Sequence, residues 1–290
     1  MDSFLIGDVL INWRCEGYRL TPGEYMEKFR HHGVWDGETI TLQGSIHPLK
    51  SLTQYPKVGE NYLYDVYNVD GERMHLYNWS YVRGGYAIWP DRVAAGRTDG
   101  IWFDPVMNYQ IPMDHDWFFG VCGLHKALLF KNRPILHAAC VEINGKAVLF
   151  TAPSETGKST QADLWQAHAG ARVVNGDRVL LGQKNGIWHA YGYPCCGSSM
   201  ICENFCLPIA GVAVLTQGSE NRIEPLSEAA KQRSLVAGMT VYQDDLAEID
   251  RAFSLAESIC AQVGVVRLVC RPDAQAVQVL HDHWKGEGRL

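Results

Sequence analysis

From Ile135 onward, hydrophobic and polar positions alternate in short blocks separated by tight turns. Ile135–Ile143 reads as a strand, Asn144-Gly145 as a two-residue hairpin turn and Lys146–Ala152 as the returning strand. Lys158–Ala169 carries helical patterning and stops at Gly170. Strands are predicted over Arg172–Val174 and Arg178–Leu181, then over Ile187–Tyr191 after a turn at Asn185-Gly186, with a buried strand at Gly211–Thr216. Helices over Ser227–Ala237 and Asp244–Gln262, a strand over Val265–Cys270 and a last helix after Pro272 complete the pattern.

The earlier part of the chain is patterned differently. Val69-Asp70-Gly71-Glu72 is a hairpin signal between apolar-alternating runs at Leu63–Asn68 and Arg73–Trp79. A second pair, Ser80–Arg83 and Tyr86–Trp89, flanks Gly84-Gly85, and the Trp and Tyr content suits half-buried antiparallel strands. Asp116–Phe130 reads as a helix that Arg133-Pro134 breaks. The pattern predicts a β-rich domain over residues 1–113 and an α/β domain with a mixed sheet over 114–290.

Composition adds exclusions. The 290 residues are 47% hydrophobic and 20% charged, the make-up of a folded protein rather than a disordered one. Net charge is −6 and no Lys/Arg stripe is present, so a groove for nucleic acid is not expected. A pocket for a single phosphate would leave no trace in such totals. Nine cysteines, an odd number, and an opening Met1-Asp2-Ser3-Phe4 without signal-peptide character point to reduced thiols and a cytoplasmic setting. Apolar stretches such as Ala147–Ala152 are far short of a membrane span, so no membrane partner is expected. Cys195, Cys196, Cys202 and Cys206 lack the paired spacing of structural zinc sites and read as unligated thiols.

The chemistry concentrates in one segment, Ala152-Pro153-Ser154-Glu155-Thr156-Gly157-Lys158-Ser159-Thr160. A phosphate-binding loop needs a strand that delivers the chain to a turn of inward-pointing amides. It then needs a Lys for the outer phosphates and a Ser or Thr for Mg²⁺ at the start of a helix. Gly157, Lys158 and Ser159 follow that order. The tripeptide alone is weak, and the apolar strand Ala147–Phe150 running in and the patterned helix running out give it meaning.

Two companions stand near it in the predicted topology. Asp177 follows a strand end 19 residues after Lys158, where a carboxylate can hold Mg²⁺ or accept a proton from an attacking hydroxyl; Asp after Gly is also an ordinary turn residue. His137 lies on the strand that hairpins into the loop's own strand, placed either to contact a phosphoryl oxygen or to steer the acidic group, unless it is simply packed in the core. The Tyr191-Gly192-Tyr193-Pro194-Cys195-Cys196-Gly197-Ser198-Ser199 loop is small enough for close backbone approach to a ligand and offers hydroxyls to a phosphate.

Ile135-Leu136-His137-Ala138-Ala139, the hairpin, the loop and Asn175-Gly176-Asp177-Arg178-Val179 together resemble the HPr kinase/phosphorylase catalytic domain, of the phosphoenolpyruvate-carboxykinase-like P-loop class. The resemblance covers about residues 135–284 and implies an ATP-dependent, Mg²⁺-requiring kinase that phosphorylates a serine hydroxyl. By carry-over, Lys158 and Ser159 bind phosphate and metal, His137 is the family's histidine ahead of the loop, Asp177 is its second acidic position and a metal ligand, and Arg178 is the basic residue beside the acidic pair. Three positions depart: the paired acids are Gly176-Asp177, the loop's first Gly is Ala152, and Glu155 stands where a small residue is usual. These bear on a phosphorylase half-reaction and on the general base more than on nucleotide binding. No HPr-docking sequence is recognisable. The expectation is a kinase acting on a peptide or protein serine, with a small-molecule hydroxyl kinase and a non-catalytic nucleotide-binding module in peptide maturation as alternatives, and with homo-oligomerisation left open.

Overall fold

The computed structural model describes residues 2–15, 23–49, 52, 54–61, 63–77, 86–97, 99–104 and 122–290. The chain divides into two units, Met1–Leu128 and Leu129–Leu290. The boundary read from the sequence between residues 113 and 114 lies outside the described residues, as do the Ser80–Arg83 strand with its Gly84-Gly85 turn and the first turns of the helix read from Asp116.

Among the described residues the first unit forms a sheet of eight strands: β1 (Asp2–Ile6), β2 (Val9–Cys15), β3 (Glu38–Ile46), β4 (Lys57–Glu60), β5 (Tyr64–Val69), β6 (Glu72–Tyr77), β7 (Tyr86–Ile88) and β8 (Ile101–Phe103). Their order is β1-β2-β3-β8-β7-β6-β5-β4. The β2–β3 and β3–β8 pairs are parallel and the rest antiparallel. Asp70 and Gly71, with φ of 54° and 88°, close the predicted β5–β6 hairpin in the left-handed geometry that such a turn requires. Short helices α1 (Glu24–Glu27) and α2 (Pro90–Ala94) accompany the sheet, and α3 (Leu124–Phe130) is what the described residues show of the predicted Asp116–Phe130 helix.

The second unit is a mixed α/β body. β9 (Ile135–Ile143) and β10 (Lys146–Thr151) form a hairpin through Asn144 and Gly145, both at positive φ. Helix α4 (Lys158–Ala169) follows and ends at Gly170 with φ 67°. Then come β11 (Arg172–Asn175), β12 (Arg178–Lys184), β13 (Ile187–Gly192), β14 (Cys206–Gln217), β15 (Arg222–Glu224), α5 (Glu228–Gly238), α6 (Leu246–Cys260), β16 (Gly264–Cys270) and α7 (Ala274–Gly286). β14 is longer than the pattern predicts because only its middle, Ala210–Ala213 and Leu215, is buried and its two ends are not, and β15 carries too few apolar residues to have been read at all. Ser227, Asp245 and Asp273 cap the last three helices with side-chain oxygens that accept from backbone amides.

Two long strands each change partner along their length. β9 pairs with β10 from Ala138 to Ile143, while on its other side it meets β11 and β12. β14 pairs with β13 through its first residues and lies parallel to β10 and β16 through the rest. The strands β9, β12, β13, β14 and β10 therefore form a closed circuit, and β16 and β15 extend the sheet beyond β14.

Period-two alternation sorts the core into two layers. Leu136, Ala138 and Cys140 of β9 and Ala147 and Leu149 of β10 pack with α5 and α6. Ala139, Val141, Val148 and Phe150 pack with Trp165 of α4 and Trp284 of α7. Trp284 lies against Gly211 of β14, where a β-carbon would sit 2.6 Å from its ring. Gly211→Ala should accordingly destabilise the unit by about 1–3 kcal/mol through overpacking, read as a fall in the urea midpoint at unchanged slope.

Candidate active site

The alternation that builds the core also delivers the site. His137 shares its parity with Ala139 and Val141, whose side chains enter the layer that α4 covers, so its imidazole emerges on the face where the β10–α4 loop lies. It is the first residue of β9 on that face with an open environment, its side chain 29% exposed. Thr151 at the end of β10 donates to the His137 carbonyl at 2.9 Å and ties the two strand ends together.

The loop that leaves β10 turns through two left-handed residues, Glu155 at φ 63° and Gly157 at φ 111°. Such turns make main-chain amides point into a common concavity, which favours an anion. Gly157 is also the N-cap of α4 and offers no side chain to the helix's first amides. Those amides have no intrahelical acceptor, and the helix dipole adds partial positive charge there. Lys158 is buried, with its ammonium folded back to donate to the Ala152 carbonyl at 3.1 Å and the Pro153 carbonyl at 3.4 Å. Burial pushes its ammonium below the usual lysine range, and the charge of Asp177 opposes that shift.

The acidic corner lies where β11 passes into β12 alongside β9. Asn175 pairs with Cys140 and Arg178 with His137 in one register, which β11 enters through a shift between Val173 and Asn175, and the Asp177 carbonyl still accepts from Ala138 N–H at 2.9 Å. Between them the fully buried Asn175 side chain accepts from the amides of Asp177 (2.9 Å) and Arg178 (3.0 Å) and donates to the Tyr193 carbonyl at 3.0 Å. This turn lifts Asp177 out of the strand. Its Oδ1 lies 3.0 Å from His137 Nε2, while Oδ2 accepts from Cys195 Sγ at 3.2 Å and faces Arg178 Nε at 3.4 Å. Burial opposes the charge, but the hydrogen bonds from His137 and Cys195 and the Arg178 guanidinium outweigh it and hold the Asp177 carboxyl down at about 2. Arg178 is itself held by Thr240, to whose hydroxyl it donates at 2.7 Å.

The segment after β13 is moulded onto this corner. Gly197, at φ 55°, packs against the Asp177 side chain. Ser199 fills the space beside Gly176: a β-carbon at position 176 would lie 1.8 Å from Ser199 Oγ and 2.4 Å from its Cβ. The second acid of the paired pattern has no room here. Cys202 turns the other way, its thiol toward the Tyr193 carbonyl, and Cys206 is exposed. Among the described residues no group of three His, Cys, Asp or Glu side chains gathers as a metal cluster.

One cleft of about 360 Å³ is lined by His137, Ser154, Glu155, Gly157, Lys158, Ser159, Thr160, Gly176, Asp177 and Ser198. That size is in the range of small-molecule sites. Of the residues singled out in the sequence, Ala152 and Pro153 contribute carbonyls to Lys158, Arg178 stands behind Asp177, and Thr156 closes the loop by donating to the Pro153 carbonyl. Asn175 and Cys195 stand in segments singled out from the sequence but without a role of their own, and Thr240 was missed. Asn before Gly-Asp is a recognisable Asx-turn signal; Thr240 carried none.

Asp177 ionises more readily in the folded chain than in the unfolded one, so it stabilises the fold above about pH 4 and that contribution vanishes as pH falls toward 2. The unfolding free energies of wild type and Asp177→Asn should differ by roughly 2 kcal/mol at pH 6 and converge near pH 2 in urea titrations. Gly176→Ala should be strongly destabilising alone and partly rescued by Ser199→Gly, which removes the two closest atoms and leaves the Cys196 carbonyl at 3.1 Å; a double-mutant cycle that shows simple additivity would contradict the packing described.

No known protein family and no curated protein matches the chain. Among the described residues no helix is long and apolar enough to cross a membrane. Solved structures do match, among them the HPr(Ser) kinase/phosphatase from Coxiella burnetii, at 14% identity and a TM-score of 0.31, over 53% of this chain and 98% of that one. No residue role follows from a likeness at that level.

Proposed function

We propose that the second unit is an ATP-dependent phosphotransferase whose acceptor is a hydroxyl, in the first instance a serine of a peptide or protein. The observation that carries the reading is the convergence of Lys158, the α4 N-terminus, Asp177 and His137 on one cleft from three separate chain segments. An anion-accepting loop alone would suit any phosphate ligand. An ionised carboxylate paired with an imidazole in the same cleft is what transfer to a hydroxyl needs in addition.

In this reading the Glu155–Gly157 amides and the helix terminus cradle the phosphate chain, and Lys158 swings from its own loop carbonyls to the outer phosphates. Ser159 and Asp177 offer an exposed hydroxyl and a charged carboxylate, hard oxygen donors of the kind Mg²⁺ accepts. Mg²⁺ bound there would neutralise charge on the phosphates. Asp177, held at about 2, is a weak base, so its role is to orient rather than to deprotonate. With Nε2–H donated to Asp177, a neutral His137 keeps Nδ1 as the acceptor for the hydroxyl proton. Arg178, anchored on Thr240, holds Asp177 in place.

A nucleotide-binding module without transfer is the second reading, favoured by the absence of a second carboxylate at Gly176 and by Ser199 occupying its space. Lys158→Ala should weaken Mg·ATP binding about 10- to 100-fold, the loss of one charge-assisted hydrogen bond. Asp177→Asn should lower turnover about 100-fold or more while changing nucleotide affinity far less. Calorimetry and ADP release with serine-containing peptides and small alcohols separate the cases: unaltered binding in Lys158→Ala ends the transfer reading, and binding without turnover on any acceptor selects the module.

A further inference from the structure

We infer that Ser198 is a phosphoryl acceptor in its own chain, so that the cleft modifies the loop that lines it; this rests on the transfer reading above. The residues around the cleft come from two sources. Ser154, Ser159 and Thr160 belong to the anion loop and its helix, whereas His137, Gly176, Asp177 and Ser198 come from the strand ends and the segment after β13. Within this second group Ser198 supplies the hydroxyl, in the same cleft as the carboxylate and imidazole that would handle an acceptor.

Its neighbours fix it there. Cys195 bonds Asp177 at 3.2 Å, Gly197 packs on the Asp177 side chain in a left-handed turn, and Ser199 is wedged beside Gly176. The Ser199 hydroxyl is committed, since it donates to the Cys196 carbonyl at 2.7 Å and accepts from Ile201 N–H at 3.2 Å. Ser198, between these anchors, is exposed to the cleft. The preorganisation that an external serine would have to acquire on binding is built in.

In the step, Ser198 Oγ bonds to the γ-phosphorus as the bond from that phosphorus to the β–γ bridging oxygen breaks. ADP leaves with the electron pair and the hydroxyl proton passes to the His137 imidazole. The product carries about −1.5 to −2 charge next to ionised Asp177 and within reach of the anion loop, so modified chains should bind nucleotide more weakly.

The full chain incubated with Mg·ATP and no added acceptor, then digested for phosphopeptide mapping, tests this. Phosphate on Ser198, absent from Lys158→Ala and accumulating at a rate independent of protein concentration, supports the inference. Nucleotide bound by calorimetry with no phosphate on Ser198, or with phosphate only on other residues, overturns it and leaves the transfer reading standing. A chain that binds no nucleotide overturns both. Because mapping is done on wild type, the result does not depend on Ser198→Ala folding; that variant serves to show that the phosphate does not move to Ser199.

Discussion

The amide of Asn175 holds the turn by which β11 passes into β12 along β9, and the acidic corner is built on that turn. A buried amide without partners would be costly, and this one is compensated by two accepted bonds and one donated bond to main-chain groups. The three bonds link β11, the Asp177–Arg178 turn and the end of β13. Asp177 therefore gains its position from main-chain geometry on one side and from His137, Cys195 and Arg178 on the other. Few degrees of freedom are left to it, which is what a group that must meet a charged ligand without reorganising requires.

Charge in the cleft is arranged against the balance of the whole chain. A net charge of −6 would repel a triphosphate at long range. Locally, the Lys158 ammonium, the helix terminus and the loop amides meet one engaged carboxylate, backed by the Arg178 guanidinium, and the exposed Glu155. A polyanionic ligand in this cleft would meet amides and a buried lysine rather than a basic surface, and that attraction would lose little to salt screening. Glu155 in the left-handed region costs about 1–2 kcal/mol that a glycine would not, a strain retained in the very loop that would grip the ligand.

The second unit was legible where physics is local. Asn144-Gly145, Asn185-Gly186 and Gly170 mark turns and a helix end by conformational necessity, and the Ile135–Ala169 elements follow the predicted bounds within a residue. The convergence of His137 on the loop followed from strand parity once the hairpin was known. What lay beyond reading was long-range: Cys195 against Asp177, Thr240 against Arg178 and Ser199 against Gly176 are separated by 18 to 62 residues or depend on a missing β-carbon. Nothing in a local window encodes such meetings. In the first unit, parallel pairing of β2 with β3 and of β3 with β8 was hidden for the same reason.

The partner changes of β9 and β14 also set the order of events during synthesis. β10, which launches the anion loop, finds β9 at once through a two-residue turn, but its other neighbour is β14, roughly sixty residues later. Until that strand emerges, one edge of the loop's strand is bare and the circuit is open. A nascent chain halted before β14 would carry every motif residue of the loop without the closed circuit of strands that supports it.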